Sequence, residues 1–298
     1  MQSDTIVLGF ADYREPAQRY AAALGLAYRE VDIHHFPDQE SRIILPQPLP
    51  THLILCRSMF RPNDKLVELM LIVRSARRQG VRRISLIAPY LCYMRQDKAF
   101  HPGEVVSQTV IGGFLAELFD AVITVDPHLH RITNLDEAIP GIQAVSLHAT
   151  AALGKFLVEQ ANDFFLIGPD EESEQWVAAI AEQGGYEFAI AHKTRFSDTE
   201  VRVVLPELQL SGRDVVLVDD MVSTGHTMIE TAQQLPAQGV NSVSALITHP
   251  LFTDNALHAM QQSGINRIWS SDSIPHATNC VMLADLLASA SQTLPELN

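Results

Sequence analysis

Val215-Val216-Leu217-Val218-Asp219-Asp220-Met221-Val222-Ser223-Thr224-Gly225-His226-Thr227 is the stretch on which the reading of the chain turns. Four apolar residues in succession, with no polar alternation, describe a strand buried on both faces, as in a parallel sheet covered by helices. Adjacent carboxylates end the run, a hydroxyl-rich turn follows, and Met228 to Leu235 has helical spacing. The first N–H groups of a helix lack intrahelical acceptors, and with the helix dipole they favour anions. Ser223, Thr224 and Thr227 add O–H donors for the same anion. Asp219 and Asp220 repel phosphate and suit sugar hydroxyls instead, directly or through Mg²⁺. A βα turn whose polar residues merely cap the helix uses the same residue types. The length and order of the pattern point instead to a sugar-phosphate site.

Outward from that stretch the chain keeps the same grammar. Strands are expected at Ile6 to Gly9, Leu53 to Cys56, Ile84 to Ala88, Ala121 to Val125, Phe164 to Ile167, Glu187 to Ala191 and Val243 to Thr248. Helical spacing marks Glu15 to Leu24, Asp64 to Gln79, Ser107 to Leu118, Glu174 to Gln183, Met228 to Ala237 and Asn255 to Gln262. Such alternation predicts α/β units, with parallel sheets flanked by helices. Ile139-Pro140-Gly141 punctuates the middle of the chain, so two domains are expected, 1–141 and 142–298.

The bulk properties agree. A chain of 298 residues suits two domains, and 47% hydrophobic with 19% charged residues suits a globular enzyme. A net charge of −14 argues against nonspecific binding to nucleic acid or an anionic membrane. An anionic substrate then needs a local basic cluster or metal ions. Cys56, Cys92 and Cys280 lack paired spacing and suit a reducing cytoplasm. Neither a signal peptide nor an apolar run of membrane-spanning length is expected.

The segment from Val215 to Thr227 resembles the PRPP (phosphoribosyl diphosphate) signature shared by phosphoribosyltransferases and ribose-phosphate diphosphokinases, the PRPP synthetases. Other segments distinguish the two groups. Pro89-Tyr90-Leu91-Cys92-Tyr93-Met94-Arg95-Gln96-Asp97-Lys98 follows an expected strand, at the end where α/β proteins bind ligands. Arg95 and Lys98 bring cations for phosphates there. The run is similar to the ATP-binding segment of PRPP synthetases, which implies ATP contacts for Arg95, Gln96, Asp97 and Lys98. In Asp126-Pro127-His128-Leu129-His130, carboxylate and imidazole can both reach a metal. A His bound to a loop carbonyl is the plainer reading, and it is kept for His130. The resemblance implies that His128 helps to hold the Mg²⁺ of MgATP.

Phe36-Pro37-Asp38-Gln39-Glu40 is an ordinary turn by composition. In the family it looks like the adenine loop, with Phe36 stacking, Asp38 and Glu40 accepting from the base, and the loop reaching a neighbouring subunit. His192-Lys193-Thr194-Arg195 stands between an expected strand and the polar run 197–200, as a mobile loop would. Two long cations there could close over a polyphosphate. Its likeness to the family's Lys-x-Arg loop makes Lys193 and Arg195 the catalytic candidates. Gly168-Pro169-Asp170 resembles the turn beside ribose 5-phosphate and metal, which gives Asp170 a metal role. Arg57, Ser58, Asn63 and Asp64 extend the likeness, which runs from Phe36 to Ser273-Ile274-Pro275.

The resemblance thus implies two phosphoribosyltransferase-like domains with the active site between them, and a homo-oligomer, dimer or hexamer. It implies the substrates ATP and ribose 5-phosphate, with Mg²⁺ as cofactor and PRPP and AMP as products. Asp219, Asp220, Ser223, Thr224, Gly225, His226 and Thr227 would hold the sugar phosphate. The chain departs from the pattern at Glu171-Glu172-Ser173, where small residues and glycine are usual, and at His226, where glycine is usual. Carboxylates beside phosphate are repulsive unless turned away or metal-bound. These changes leave open a diphosphokinase for a modified sugar phosphate. A non-catalytic regulatory homologue is the further alternative, against which the retained cations and aspartates argue.

Overall fold

The computed structural model describes residues 4–129, 131–195, 201–294 and 297. The chain divides into two compact units, the first Met1–His148 with Ser273–Pro275 and Leu283–Asn298, the second Ala149–Asp272 with His276–Met282.

Unit 1 contains β1 (Thr5–Gly9), α1 (Arg14–Leu24), β2 (Ala27–Glu30), β3 (Asp32–His35), β4 (Ser41–Ile44), β5 (His52–Cys56), α2 (Pro62–Arg78), β6 (Arg83–Ala88), α3 (Ser107–Leu118), β7 (Ala121–Val125), α4 (Leu135–Ala138) and β8 (Gln143–Leu147). Among the described residues its sheet has six parallel strands in the order β2-β1-β5-β6-β7-β8. Alternate strand residues face opposite sides. Leu8, Leu55 and Leu86 join Leu69 and Ile72 of α2 and Leu115 of α3 in one core. Val7, Ile54, Ile87 and Ile123, the intervening positions, are equally buried, so both faces are covered.

Unit 2 contains α5 (Thr150–Glu159), β9 (Phe164–Gly168), α6 (Glu174–Gly184), β10 (Glu187–Ile190), β11 (His192–Arg195), β12 (Val201–Val204), β13 (Asp214–Val222), α7 (His226–Gln234), β14 (Ser242–Pro250), α8 (Ala256–Gln262), β15 (Ile265–Ser271) and β16 (Asn279–Val281). Its parallel sheet runs β10-β9-β13-β14-β15-β16. The strand order reverses between β1 and β5 in one unit and between β9 and β13 in the other. Crevices at such switch points, beyond the strands' carboxyl ends, are where open α/β sheets bind ligands. Each unit also inserts an antiparallel hairpin after its second strand, β3–β4 in unit 1 and β11–β12 in unit 2.

Several elements depart from expectation. β13 runs on to Val222, so Asp219 and Asp220 lie within the strand, paired along β14 as far as Val222↔Pro250. α7 begins at His226 and stops at Gln234, ahead of a 3₁₀ turn at Leu235–Gln238 that contains Pro236. His192–Arg195, expected as a mobile loop, is a strand in register with Val201–Val204. The polar run 197–200 lies outside the described residues. The expected cut at 141 falls inside unit 1, because Gln143 to Leu147 still pair with β7. The last helix, α9 (Ala284–Ser291), belongs to unit 1, where the Ser291 Oγ lies 2.6 Å from the Tyr20 hydroxyl of α1.

Candidate active site

In unit 2, β9 and β13 are the strands flanking the switch point. β9 ends at Gly168, and Asp170 follows directly; Ser173 donates its Oγ hydrogen to the Asp170 carbonyl at 2.5 Å, closing the turn. A Cβ at Gly168 would stand 2.2 Å from that Oγ, so the close approach requires glycine. From β13, the Asp219 Oδ1 accepts the Asp220 N–H at 2.9 Å. Burial pushes the Asp219 carboxyl well above the usual carboxylate range, and the charges of Asp220 and Asp170 push it further. The structure therefore brings Asp170, Asp219 and Asp220 into one electrostatic cluster. Its own carboxylates make the cluster unfavourable, so sugar hydroxyl donors or a cation would relieve it.

The turn beyond β13 ends on Gly225, buried and left-handed at φ 75°, with no side-chain cap hydrogen bond to the helix it begins. The Ile229 N–H reaches back to the Gly225 carbonyl at 2.9 Å; the amides before it have no intrahelical acceptor. Thr224 is exposed and Ser223 and Thr227 half-buried along this helix start, and the Ser223 carbonyl is tied to the Thr253 N–H at 3.0 Å. The amides and hydroxyls from Ser223 to Thr227 thus lie together on one turn, tied to Thr253.

Two of the departures, His226 and Glu171, have a physical account. His226 is the first residue of α7 and not among those with positive φ, so its Cβ brings no backbone strain. Its side chain is exposed. Glu171 pairs with His192, the first residue of β11, at 3.1 Å. Lys193 and Arg195 follow on that strand, opposite Val203 and Val201.

In unit 1 the Phe36–Glu40 loop is the turn of the β3–β4 hairpin, closed by Phe36 N–H to Glu40 O at 2.8 Å and Gln39 N–H to Phe36 O at 2.9 Å. Asp38 accepts the Glu40 N–H at 3.2 Å, and the Phe36 ring is 42% exposed. Of the four candidate ATP contacts from Arg95 to Lys98, three have partners within unit 1. Gln96 donates to Glu104 at 2.6 Å, Asp97 is ion-paired with Arg131, and the Lys98 ammonium lies 4.5 Å above the Phe100 ring. Arg95 is exposed. His128 is half-buried; the preceding Asp126 is buried and pairs with His148 at 3.0 Å. His130 lies outside the described residues.

Two contributors escaped the sequence reading. Glu104 accepts from Gln96 and from the Phe100 and His101 amides, at 2.6 and 2.9 Å, and so shapes the run that follows β6. Glu68 is 1% exposed in an otherwise apolar stripe of α2 with Leu69, Ile72 and Val73. A lone charge on the buried face of an amphipathic helix is a signal that helical spacing can supply.

A family model described as the N-terminal domain of ribose phosphate pyrophosphokinase matches residues 5–118, and a phosphoribosyl transferase domain model matches residues 141–265. The ribose-phosphate pyrophosphokinase of Methanopyrus kandleri is 34% identical over 292 residues, 97% of this chain and 99% of the relative. That of Sulfurisphaera tokodaii is 34% identical over 256 residues, 84% and 87% of the two chains. In fold, the chain is similar to phosphoribosylpyrophosphate synthetase from Mycobacterium smegmatis, with a TM-score of 0.82 at 22% identity over 99% of each chain. With identity of this order running through both units, the chain belongs to the ribose-phosphate pyrophosphokinase family.

Proposed function

We propose that this enzyme transfers the β,γ-diphosphoryl group of ATP to the C1 hydroxyl of ribose 5-phosphate, giving PRPP and AMP. The observation that carries the reading is in unit 2. A carboxylate cluster and an uncapped helix start share the switch-point end of one sheet, in a chain 34% identical to a named pyrophosphokinase over nearly its whole length. Asp219 and Asp220 accept from the ribose hydroxyls, and the backbone from Ser223 to Thr227 holds the 5-phosphate. Phe36, Asp38 and Glu40 address the adenine, and Arg95 the polyphosphate.

In the reaction the C1 oxygen bonds to the β-phosphorus as the bridge to the α-phosphate breaks. AMP departs with the bridging oxygen, and the hydroxyl proton goes to solvent. Positioning and charge neutralisation carry most such transfers. Lys193 and Arg195 oppose the charge that develops on the nonbridging oxygens. The clustered carboxylates at Asp170 and Asp219 are the donor type that suits a hard divalent cation. Among the described residues no three His, Cys, Asp or Glu side chains form a ready-made cage. Mg²⁺ needs only one or two carboxylates when phosphate oxygens complete its shell. In unit 2 Asp170 would hold such an ion, and in unit 1 His128 would help to hold the Mg²⁺ of MgATP; when bound, the metal would supply positive charge to the phosphates.

None of the three cysteines is in a disulfide, and burial pushes the Cys92 thiol up to about 12, which suits a reducing cytoplasm. No helix among the described residues is long and apolar enough to cross a membrane.

AMP formation from Mg²⁺, ATP and ribose 5-phosphate tests the reading. Turnover with another pentose phosphate but not with ribose 5-phosphate would overturn the substrate assignment. Lys193→Ala is expected to lower kcat by roughly a hundredfold or more while the KM for ATP changes little, the split that marks a group acting in the transition state.

A further inference from the structure

We propose that Glu68 is a positioning residue for nucleotide binding, a buried carboxylate that pegs both strands of the β3–β4 hairpin and so presents the Phe36–Glu40 turn. The inference rests on the reading of that turn as the adenine contact.

His35 ends β3 and Ser41 begins β4, and the two are cross-strand partners. Both reach the same atom. His35 Nε2 lies 2.8 Å from Glu68 Oε1, and Ser41 donates its hydroxyl to Oε1 at 3.0 Å. The other carboxylate oxygen, Oε2, accepts from Arg57 Nη1 at 2.6 Å. Arg57 in turn donates to Asp12 at 3.0 Å and lies 4.4 Å from the Phe10 ring centroid, while the Lys65 ammonium meets Asp12 at 2.7 Å. One oxygen therefore holds the hairpin and the other is locked to the body of unit 1.

The location gives this arrangement its meaning. Asp12 follows β1 and Arg57 follows β5, the strands flanking the switch point of unit 1. The equivalent position in unit 2 carries the exposed helix start beyond β13. In unit 1 the charges satisfy one another: two cations, Arg57 and Lys65, face two carboxylates, Asp12 and Glu68. The turn before α2 has left-handed Arg61 followed by Pro62, which lacks an N–H, and Asp64, an anion in the first helical turn. This crevice is built to hold protein. Ile33 and Ile43 pack the middle of the hairpin against the unit 1 core, and Glu68 fixes the end next to the turn, at His35 and Ser41. Without those pegs the turn would sample more arrangements, and affinity falls with the fraction that is competent.

The test is the double variant His35→Ala/Ser41→Ala, which removes both pegs without emptying the core. The expected result is a KM for ATP raised about tenfold, as for a hairpin competent about a tenth of the time. kcat and the KM for ribose 5-phosphate should stay within about twofold, and Ser41→Thr, which keeps the hydroxyl, should recover the affinity lost in Ser41→Ala. Phe36→Ala measured alongside separates the two claims. A raised ATP KM in Phe36→Ala with none in the double variant overturns the pegging role and leaves the adenine reading intact. An unchanged KM in Phe36→Ala overturns the adenine reading itself. Equal losses in kcat and in both KM values would reduce the contact to general structural support and overturn the proposal.

Discussion

Gly225 shows how much one position can decide. Its φ of 75° lies where a β-carbon is strained, and an added Cβ would stand 2.9 Å from the Met260 Cγ of α8. Gly225→Ala is therefore expected to cost about 1–2 kcal/mol of stability. It should also raise the KM for ribose 5-phosphate, because the amides opening α7 turn with it; denaturant melts and kinetics on the same preparation check both. A fall in stability with no change in that KM would count against the phosphate role of the turn. His226 beside it is harmless, since the left-handed step is taken one residue earlier. The sequence pattern identifies the glycine turn, but it does not say which residue of the pair carries the unusual backbone. Glu171 is a similar case. Its charge looks misplaced next to a phosphate site until His192, 21 residues on, is found 3.1 Å away. Such partners are set by the path of the backbone and have no local signature.

Among the elements, the buried strands were the most legible. β7 and α3 fall where apolar runs and helical spacing put them, at Ala121–Val125 and Ser107–Leu118. The hairpins were not, because β3 and β11 have mostly polar or exposed residues and no apolar run to announce them. Their strands exist because backbone groups pair between β3 and β4 and between β11 and β12, and the Phe36–Glu40 segment reads as a plain loop without its partner strand. Packing between elements is equally hidden. Gly112 sits where α3 meets the end of α4, and a Cβ there would stand 1.7 Å from the Ala138 carbonyl oxygen. Both neighbours are backbone, so only a shift of one helix could relieve the clash. Gly112→Ala is expected to destabilise the protein by about 1–3 kcal/mol, well beyond the small gain that alanine brings to an exposed helix. A thermal or urea melt decides it, and a neutral result would show that α4 can move aside.

Beyond the single chain, unit 1 exposes Val67 at 53% and Leu71 at 44%, one turn apart on α2, together with Ile44 at 50% on β4. Neighbouring apolar side chains left in water favour burial against another surface. We expect a second copy of the chain to cover them. Val67→Glu/Leu71→Glu should shift the protein to a smaller species in light scattering, and an unchanged mass would count against a self-interface on this face. The course of the chain through its two units was beyond local reading. A Pro-Gly turn at 140–141 suggested a boundary, yet β8 continues the first sheet past it and α9 returns to that unit from the far end of the sequence. What residue order established alone was the α/β alternation, the buried strand that carries Asp219 and Asp220, and the glycine turn, because apolar period and backbone preference act over a few neighbours. The three-dimensional fold decided the rest: how far β13 extends, where the first unit closes, and which charges meet at Glu68 and Glu171. Those depend on strand pairing and on burial between residues far apart in sequence, where a charge is tolerated only if distant parts of the chain bring its partner to it.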